Sequence, residues 1–343
     1  MKQTSILLFI SAILFVSCEP RNQVRLIENA GYAQGSTYQI KYLVNKNKNY
    51  AKELEEILVD IDNSMSTYQE SSLISAVNKG GIWVEIDTMF VEVMERSIEI
   101  AKETNGDFDP TVGPLVRIWG FGYDKVKEDI SSENIKQIKS LTGFANVELN
   151  GNKLRIPEGF TLDFNAIAQG YTVDVLARYL EAQGITDYMV EVGGEVRAKG
   201  KNDAGNVWKI GVDKPQSEIN KEERFQFILE LDNAGLATSG NYRKYWVDQT
   251  TGIKYSHTID PHTGSPALNR LLSASIVAPT TMDADAYATV CMVKGLENCK
   301  AFLATKAELE GYLVYTNQDG DWEVYFTDGF KKYIKEEFRQ QTD

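Results

Sequence analysis

Paired β-patterned stretches joined by tight turns outnumber strand–helix–strand units along this chain, and that imbalance limits the folds open to it. Val147–Ile156 alternates around Asn150-Gly151, Tyr188–Val192 runs into Gly193-Gly194, and Gly311–Thr316 with Trp322–Phe326 reads as a closing hairpin. Ser36–Val44, Ile82–Ile86, Val207–Val212 and Phe225–Leu231 add strands, and residues 235–277 are β-rich with several glycines. Helical spacing marks Tyr50–Ser64, Thr88–Thr104 (closed by Asn105-Gly106), Gly170–Gln183 and Asp283–Thr305. Hairpins build antiparallel sheets, whereas crossovers build parallel ones. The expected class is therefore α+β, with mixed or antiparallel sheets and flanking helices, rather than a doubly wound sheet. No linker marks a clean domain boundary, and no strict internal repeat is present.

The first residues set the compartment. Lys2 is followed by an almost unbroken apolar run, Ile6 to Val16, too short to span a bilayer and suited to a signal peptide. The run ends at Ser17-Cys18, which resembles a bacterial lipobox with Cys18 as the lipidated mature N-terminus. An ordinary signal peptide is the alternative. The expected organisation is a leader over 1–18, a polar tether over 19–34 and a catalytic domain over 35–343, held on the outer, periplasm-facing side of a membrane by its lipids. Only two other cysteines occur, Cys291 and Cys299. Eight residues along a straight helix span ~12 Å, too far for a disulfide, so both read as separate core-facing thiols. The formal charge of −13 and the lack of a Lys/Arg-rich stretch argue against nucleic acid as a partner. An anionic ligand would need compensation from a metal or from backbone N–H groups.

Four segments carry candidate chemistry. Asp107-Phe108-Asp109-Pro110 and the run to Trp119-Gly120-Phe121-Gly122 suit a wall against a flat ligand; they also read as a rigid loop packing aromatics. Asp163-Phe164-Asn165-Ala166-Ile167-Ala168-Gln169-Gly170 leads from a strand end through small residues into a helix. A helix start suits phosphate, although the spacing is neither G-x-G-x-x-G nor a P-loop, and Asp163 equally reads as a helix cap. His257-Thr258-Ile259-Asp260-Pro261-His262 holds both histidines of the chain. One could carry a proton near neutral pH, or both could be exposed turn residues; a zinc pair lacks a nearby third ligand. Asp285 and Thr289, at i and i+4 of a helix, share a face and offer hard oxygens that suit Mg²⁺. Asp285 equally reads as a first-turn dipole partner, and Asp283 reads as the cap.

In order along the chain, Met65-Ser66-Thr67-Tyr68, the 107–122 segment, the 162–174 segment, residues 190–200 and 237–245, the 257–264 turn and Asp283–Thr289 resemble the FAD:protein FMN transferase family, the ApbE-type flavin transferases. The resemblance runs from about Gly31 to the last hairpin. It implies a two-lobed fold with an FAD cleft, Mg²⁺ as cofactor and FAD as substrate. The implied reaction moves FMN onto a threonine or serine hydroxyl of a target protein and releases AMP. The implied acceptors are extracytoplasmic or membrane redox subunits, such as those of quinone reductases and electron-transfer complexes. Carried over, the metal is held by the Ala166 carbonyl, Asp285 and Thr289. The FAD contacts are Gln34, Tyr68, Asp107, Phe108, Asp109, Asp163, Gln169 and Ile259. His257 is the first candidate base and Asp285 the second. Two positions depart from the family pattern: Gln169 stands where lysine is common, and Gln34 replaces a commoner methionine at the start of the first strand. An FAD pyrophosphatase and a non-catalytic flavin-binding lipoprotein are the rival readings.

Overall fold

The computed structural model describes residues 24–45, 48–122, 130–215, 224–241, 245–247 and 254–338. Cys18 and the leader lie outside them. Among the described residues no helix is long and apolar enough to cross a membrane.

One eight-stranded sheet organises the molecule, and its strands lie side by side in chain order. They are β1 (Arg25–Ala33), β2 (Ser36–Val44), β3 (Tyr188–Val192), β4 (Glu195–Lys199), β5 (Ala234–Gly240), β6 (Leu271–Ala278), β7 (Glu310–Thr316) and β8 (Trp322–Phe326). Every neighbouring pair is antiparallel. The class is α+β, as the hairpin count implies. Four long helices flank the sheet: α1 (Ala51–Met65), α2 (Thr88–Glu103), α3 (Ala168–Ala182) and α4 (Thr281–Leu303).

Side-chain alternation gives the sheet two different faces. Tyr188, Val190 and Val192 of β3 join Tyr38, Ile40 and Tyr42 of β2 against Val173, Leu176 and Leu180 of α3. Further along, Ala237, Ala274 and Ile276 pack with Ala284, Ala288 and Met292 of α4 and with Phe90 of α2. The intervening residues, Met189, Val196, Leu236, Val277 and Tyr312, face the other way. They are covered by a three-stranded sheet in which Phe225–Leu231 lies between Ile334–Glu337 and Trp208–Asp213.

Three expectations are corrected. Much of the expected 19–34 tether is β1, paired with β2 from Arg25–Val44 to Ala33–Ser36. Gln34 is accordingly not at a strand start. With Gly35 it forms the turn between β1 and β2, at φ 53° and 71°, the left-handed pair that a two-residue hairpin requires. Cys291 and Cys299 are not separate thiols: they form a disulfide with Cα atoms 4.9 Å apart. The straight-helix distance fails because Gly295 adopts φ 70°, ψ 177° and breaks α4 between them.

Candidate active site

The site forms where the first turns of α3 and α4 meet. A Cβ on Gly170 would lie 2.8 Å from Asp285 Cβ and run into the Thr281 carbonyl, so only glycine permits this approach. Gly235 of β5 meets the same residue from the other side; its Cβ would lie 2.6 Å from Thr281 Cα. Thr280 caps α4 by accepting the Asp283 N–H at 3.1 Å. Asp283 is therefore not the cap; it pairs with Arg96 of α2 at 2.7 Å.

A turn further along α3, Asp174 accepts the Thr281 and Met282 amides at 3.0 and 2.9 Å and pairs with Arg197 of β4 at 2.9 Å. Burial pushes this carboxyl up, against the pull of the two amides and the guanidinium. It ties α3, α4 and β4 at one point and leaves little free acceptor capacity.

Asp285 is different. It is buried, and its one hydrogen bond among the described residues comes from the Gly170 N–H, at 3.0 Å to Oδ2. Burial raises its carboxyl to about 7, with only that amide opposing. α3 begins only at Ala168, so the Gly170 N–H is one of the first-turn amides that have no helical acceptor, and the Asp285 carboxylate takes it up. Ile167 caps α3 with no side-chain bond. Thr289, one turn beyond Asp285, has its hydroxyl 3.1 Å from Ser239 Oγ of β5.

These residues fit a hard divalent cation. A buried carboxylate with no ion pair among the described residues, a backbone carbonyl just ahead of the helix and a threonine hydroxyl are oxygen donors of the kind Mg²⁺ takes. Among the described residues no three His, Cys, Asp or Glu side chains gather as a metal cluster. A nitrogen- or thiolate-based centre is thus not formed there.

The remaining expected residues fall into groups. Gln34 Nε2 donates to Thr172 of α3 at 2.7 Å, and its Oε1 is buried without a partner. Gln169 packs on Gly193, where a Cβ would lie 2.9 Å from its Cδ. Gln169 thus lies in the first turn of α3 beside Gly170, and Gln34 reaches the helix from the β1–β2 turn through Thr172. Asp107, Asp109 and Asp163 form an adjoining wall, stitched by the Asp163 N–H to the Pro110 carbonyl at 2.8 Å. Asp109 holds that wall together: it accepts from the Thr111 N–H and hydroxyl at 2.8 and 2.6 Å and from the Phe144 N–H at 3.1 Å. Phe108 is buried in the main core. Asp163 Oδ1 accepts the Asn165 N–H at 2.8 Å, a local turn rather than the helix cap. Ile259 packs on Leu115, Ile118 and Trp119. His257 lies edge-on to Phe121, centroids 6.4 Å apart, and Tyr68 stands 68% exposed.

Several site neighbours carry no role in the sequence reading. Asp107 is held by Lys294 and, at 3.2 Å, by His262 Nε2. Ser239 steadies Thr289, and Asp174 with Arg197 anchors α4. Ser239 and Arg197 fall inside the motif stretches 237–245 and 190–200, but their tasks depend on contacts across the fold.

This arrangement is that of a nucleotide-handling enzyme with donors for one hard cation at the junction of two helix N-termini. The chain belongs to the ApbE family, whose match covers residues 34–313. It is 35% identical to the FAD:protein FMN transferase of Vibrio cholerae over 94% of this chain and 97% of that one. The solved flavin transferase ApbE from Vibrio cholerae superposes with a TM-score of 0.80 at 34% identity, covering 91% of this chain and all (100%) of that one. The apo flavinyl transferase ApbE of Pseudomonas stutzeri gives 0.81 at 31% identity, covering 90% and 97%.

Proposed function

We propose that this chain is an FAD:protein FMN transferase that uses Mg²⁺ to move FMN from FAD onto a threonine or serine hydroxyl of an extracytoplasmic redox protein, releasing AMP. The observation that carries the metal-dependent part is Asp285, buried and held by the first-turn Gly170 amide of α3, with Ala166 just ahead of that helix. Ala166, Asp285 and Thr289 would hold the ion. Bound there, Mg²⁺ would offset the charge that builds on the pyrophosphate as AMP departs.

The chain's own groups do the rest. Gln169, at the start of α3, offers a neutral hydrogen bond where a lysine would offer charge, and Gln34 reaches the same helix through Thr172; the helix N–H groups and the cation would then carry the phosphate load. The Asp107–Asp109 wall and Asp163 orient the nucleotide, with Asp109 acting through the turn it holds. Tyr68 offers an exposed ring face. His257 accepts the hydroxyl proton of the incoming threonine, since an alcohol is a weak nucleophile without a base. Lipidation at Cys18 would hold the enzyme at the membrane beside its acceptors.

The test is incubation with FAD, Mg²⁺ and a threonine-bearing peptide. Covalently fluorescent peptide plus AMP is expected. Free FMN and AMP alone would make the protein a pyrophosphatase, and unchanged FAD would make it a binder.

A further inference from the structure

A groove of about 420 Å³ opens beside α4 at the far end of β5, lined by Asn241, Ser256, Ala267, Leu268, Arg270 and Leu272 among others. None of the residues assigned above to FAD or the cation lines it. It nonetheless reaches the reacting end of the site by two routes. Asn241 continues the β5 ladder, its N–H donating to the Leu272 carbonyl at 3.0 Å. It follows Ser239 by two residues, so the two side chains share a side about 7 Å apart, and Ser239 contacts Thr289. Ser256 directly precedes His257, and Thr258 on the other side donates its hydroxyl to Asn241 Oδ1 at 3.1 Å.

The lining combines apolar side chains with hydrogen-bonding and cationic ones. Leu268 is 63% exposed, above the buried Ala267 and Leu271. Arg270 is exposed and makes no ion pair among the described residues. The Ser256 hydroxyl is buried, 5% exposed for the residue, with no hydrogen-bond partner; a bound group would relieve that cost. The strand Lys254–Ser256 that ends on the groove is paired, among the described residues, only with Tyr245–Val247.

We propose that this groove receives an extended, apolar stretch of the acceptor protein and turns its hydroxyl toward the His257–Thr289 end of the site. The proposal rests on the flavin-transfer reading. The acceptor oxygen forms the new P–O ester bond to FMN, the pyrophosphate P–O bond to AMP breaks, and the hydroxyl proton passes to His257. Apolar residues of the acceptor lie on Leu268, and an acidic residue meets Arg270.

The experiment uses a fluorescein-labelled ten-residue peptide with one central threonine, flanking leucines and alanines, and one glutamate. Its affinity is read by fluorescence anisotropy, FAD affinity by flavin fluorescence, and transfer by flavin on the peptide. Leu268→Glu is expected to weaken peptide binding at least tenfold with FAD affinity unchanged. Arg270→Glu is expected to weaken it less, with rescue when the peptide glutamate is replaced by lysine. Absence of peptide binding by the unaltered protein, or equal binding by Leu268→Glu, overturns the proposal. Loss of FAD affinity in Leu268→Glu also overturns it, because the groove then belongs to the flavin. Leucine-dependent peptide binding without flavin transfer keeps the groove and sinks the transfer reading.

Discussion

Asp174 and Asp285 are both buried carboxylates, on adjoining helices, with opposite surroundings. Asp174 has a guanidinium and two helix amides; Asp285 has, among the described residues, one amide and no cation. Burial alone therefore does not separate a structural acid from a functional one. What separates them is whether the fold itself supplies the compensation or leaves it for a ligand. The first carboxylate spends its lone pairs on joining α3, α4 and β4, and the second uses only one of its oxygens, on the Gly170 amide, among the described residues.

Removing the first carboxylate should cost the most. Asp174→Ala strands the Arg197 charge and two amides, a loss of about 3–5 kcal/mol in unfolding free energy. Chemical denaturation should report it with or without Mg²⁺, and a stable Asp174→Ala would erase the contrast.

Asp285→Asn should behave in the reverse way. It keeps an acceptor for the Gly170 amide, so at acid pH, where both side chains are neutral, stability changes little, while Mg²⁺-dependent turnover falls about a hundredfold or more, the equivalent of ~3 kcal/mol of barrier. The same variant isolates a pH effect. In the metal-free protein the folded state keeps the Asp285 proton until about pH 7, whereas an unfolded chain releases it near ~3.9. Across that window folding takes up a proton, so this contribution is present below it and is lost as pH rises through it. Unfolding curves at successive pH values should show the fall in the parent protein and a flatter profile in Asp285→Asn; parallel profiles would mean that the carboxyl is already ionised in the fold.

The smallest effect is expected at Ser239→Ala. It frees the Thr289 hydroxyl to rotate, which should weaken Mg²⁺ roughly tenfold, as for other residues that orient a ligand. Isothermal titration with Mg²⁺ in the presence of FAD would read it, and unchanged affinity would remove Ser239 from the site.

How much of this was legible in the chain differs element by element. The spacing of Phe90, Val93, Met94 and Ser97 announces α2, because each faces the core. The strand β1 hides because it is an edge whose one buried residue is Asn29, a polar group satisfied by Tyr42; period-two hydrophobicity has nothing to report there. The disulfide hides because straight-helix spacing does not hold across Gly295, a residue that can itself signal a break. At the site, the donors Ala166, Asp285 and Thr289 come from motif order. The reasons that Gly170 must be glycine and that Ser239 matters do not, since both depend on partners more than forty positions away in the chain.

The chain-order arrangement of the sheet also bears on how the molecule assembles. Pairings from β3 to β8 join neighbours in sequence, whereas β2 meets β3 only after the whole of residues 45–187 has been gathered between them. Closing that loop is the entropically costly event. Ala166 belongs to the gathered segment, and Asp285 and Thr289 belong to the local hairpin stack, so the site is a seam between an early-forming and a late-forming part. A ligand that grips both sides adds to the native state's lead over the open chain, about 2.7 kcal/mol at a hundred times its dissociation constant. Substrate would then act as a staple across that junction.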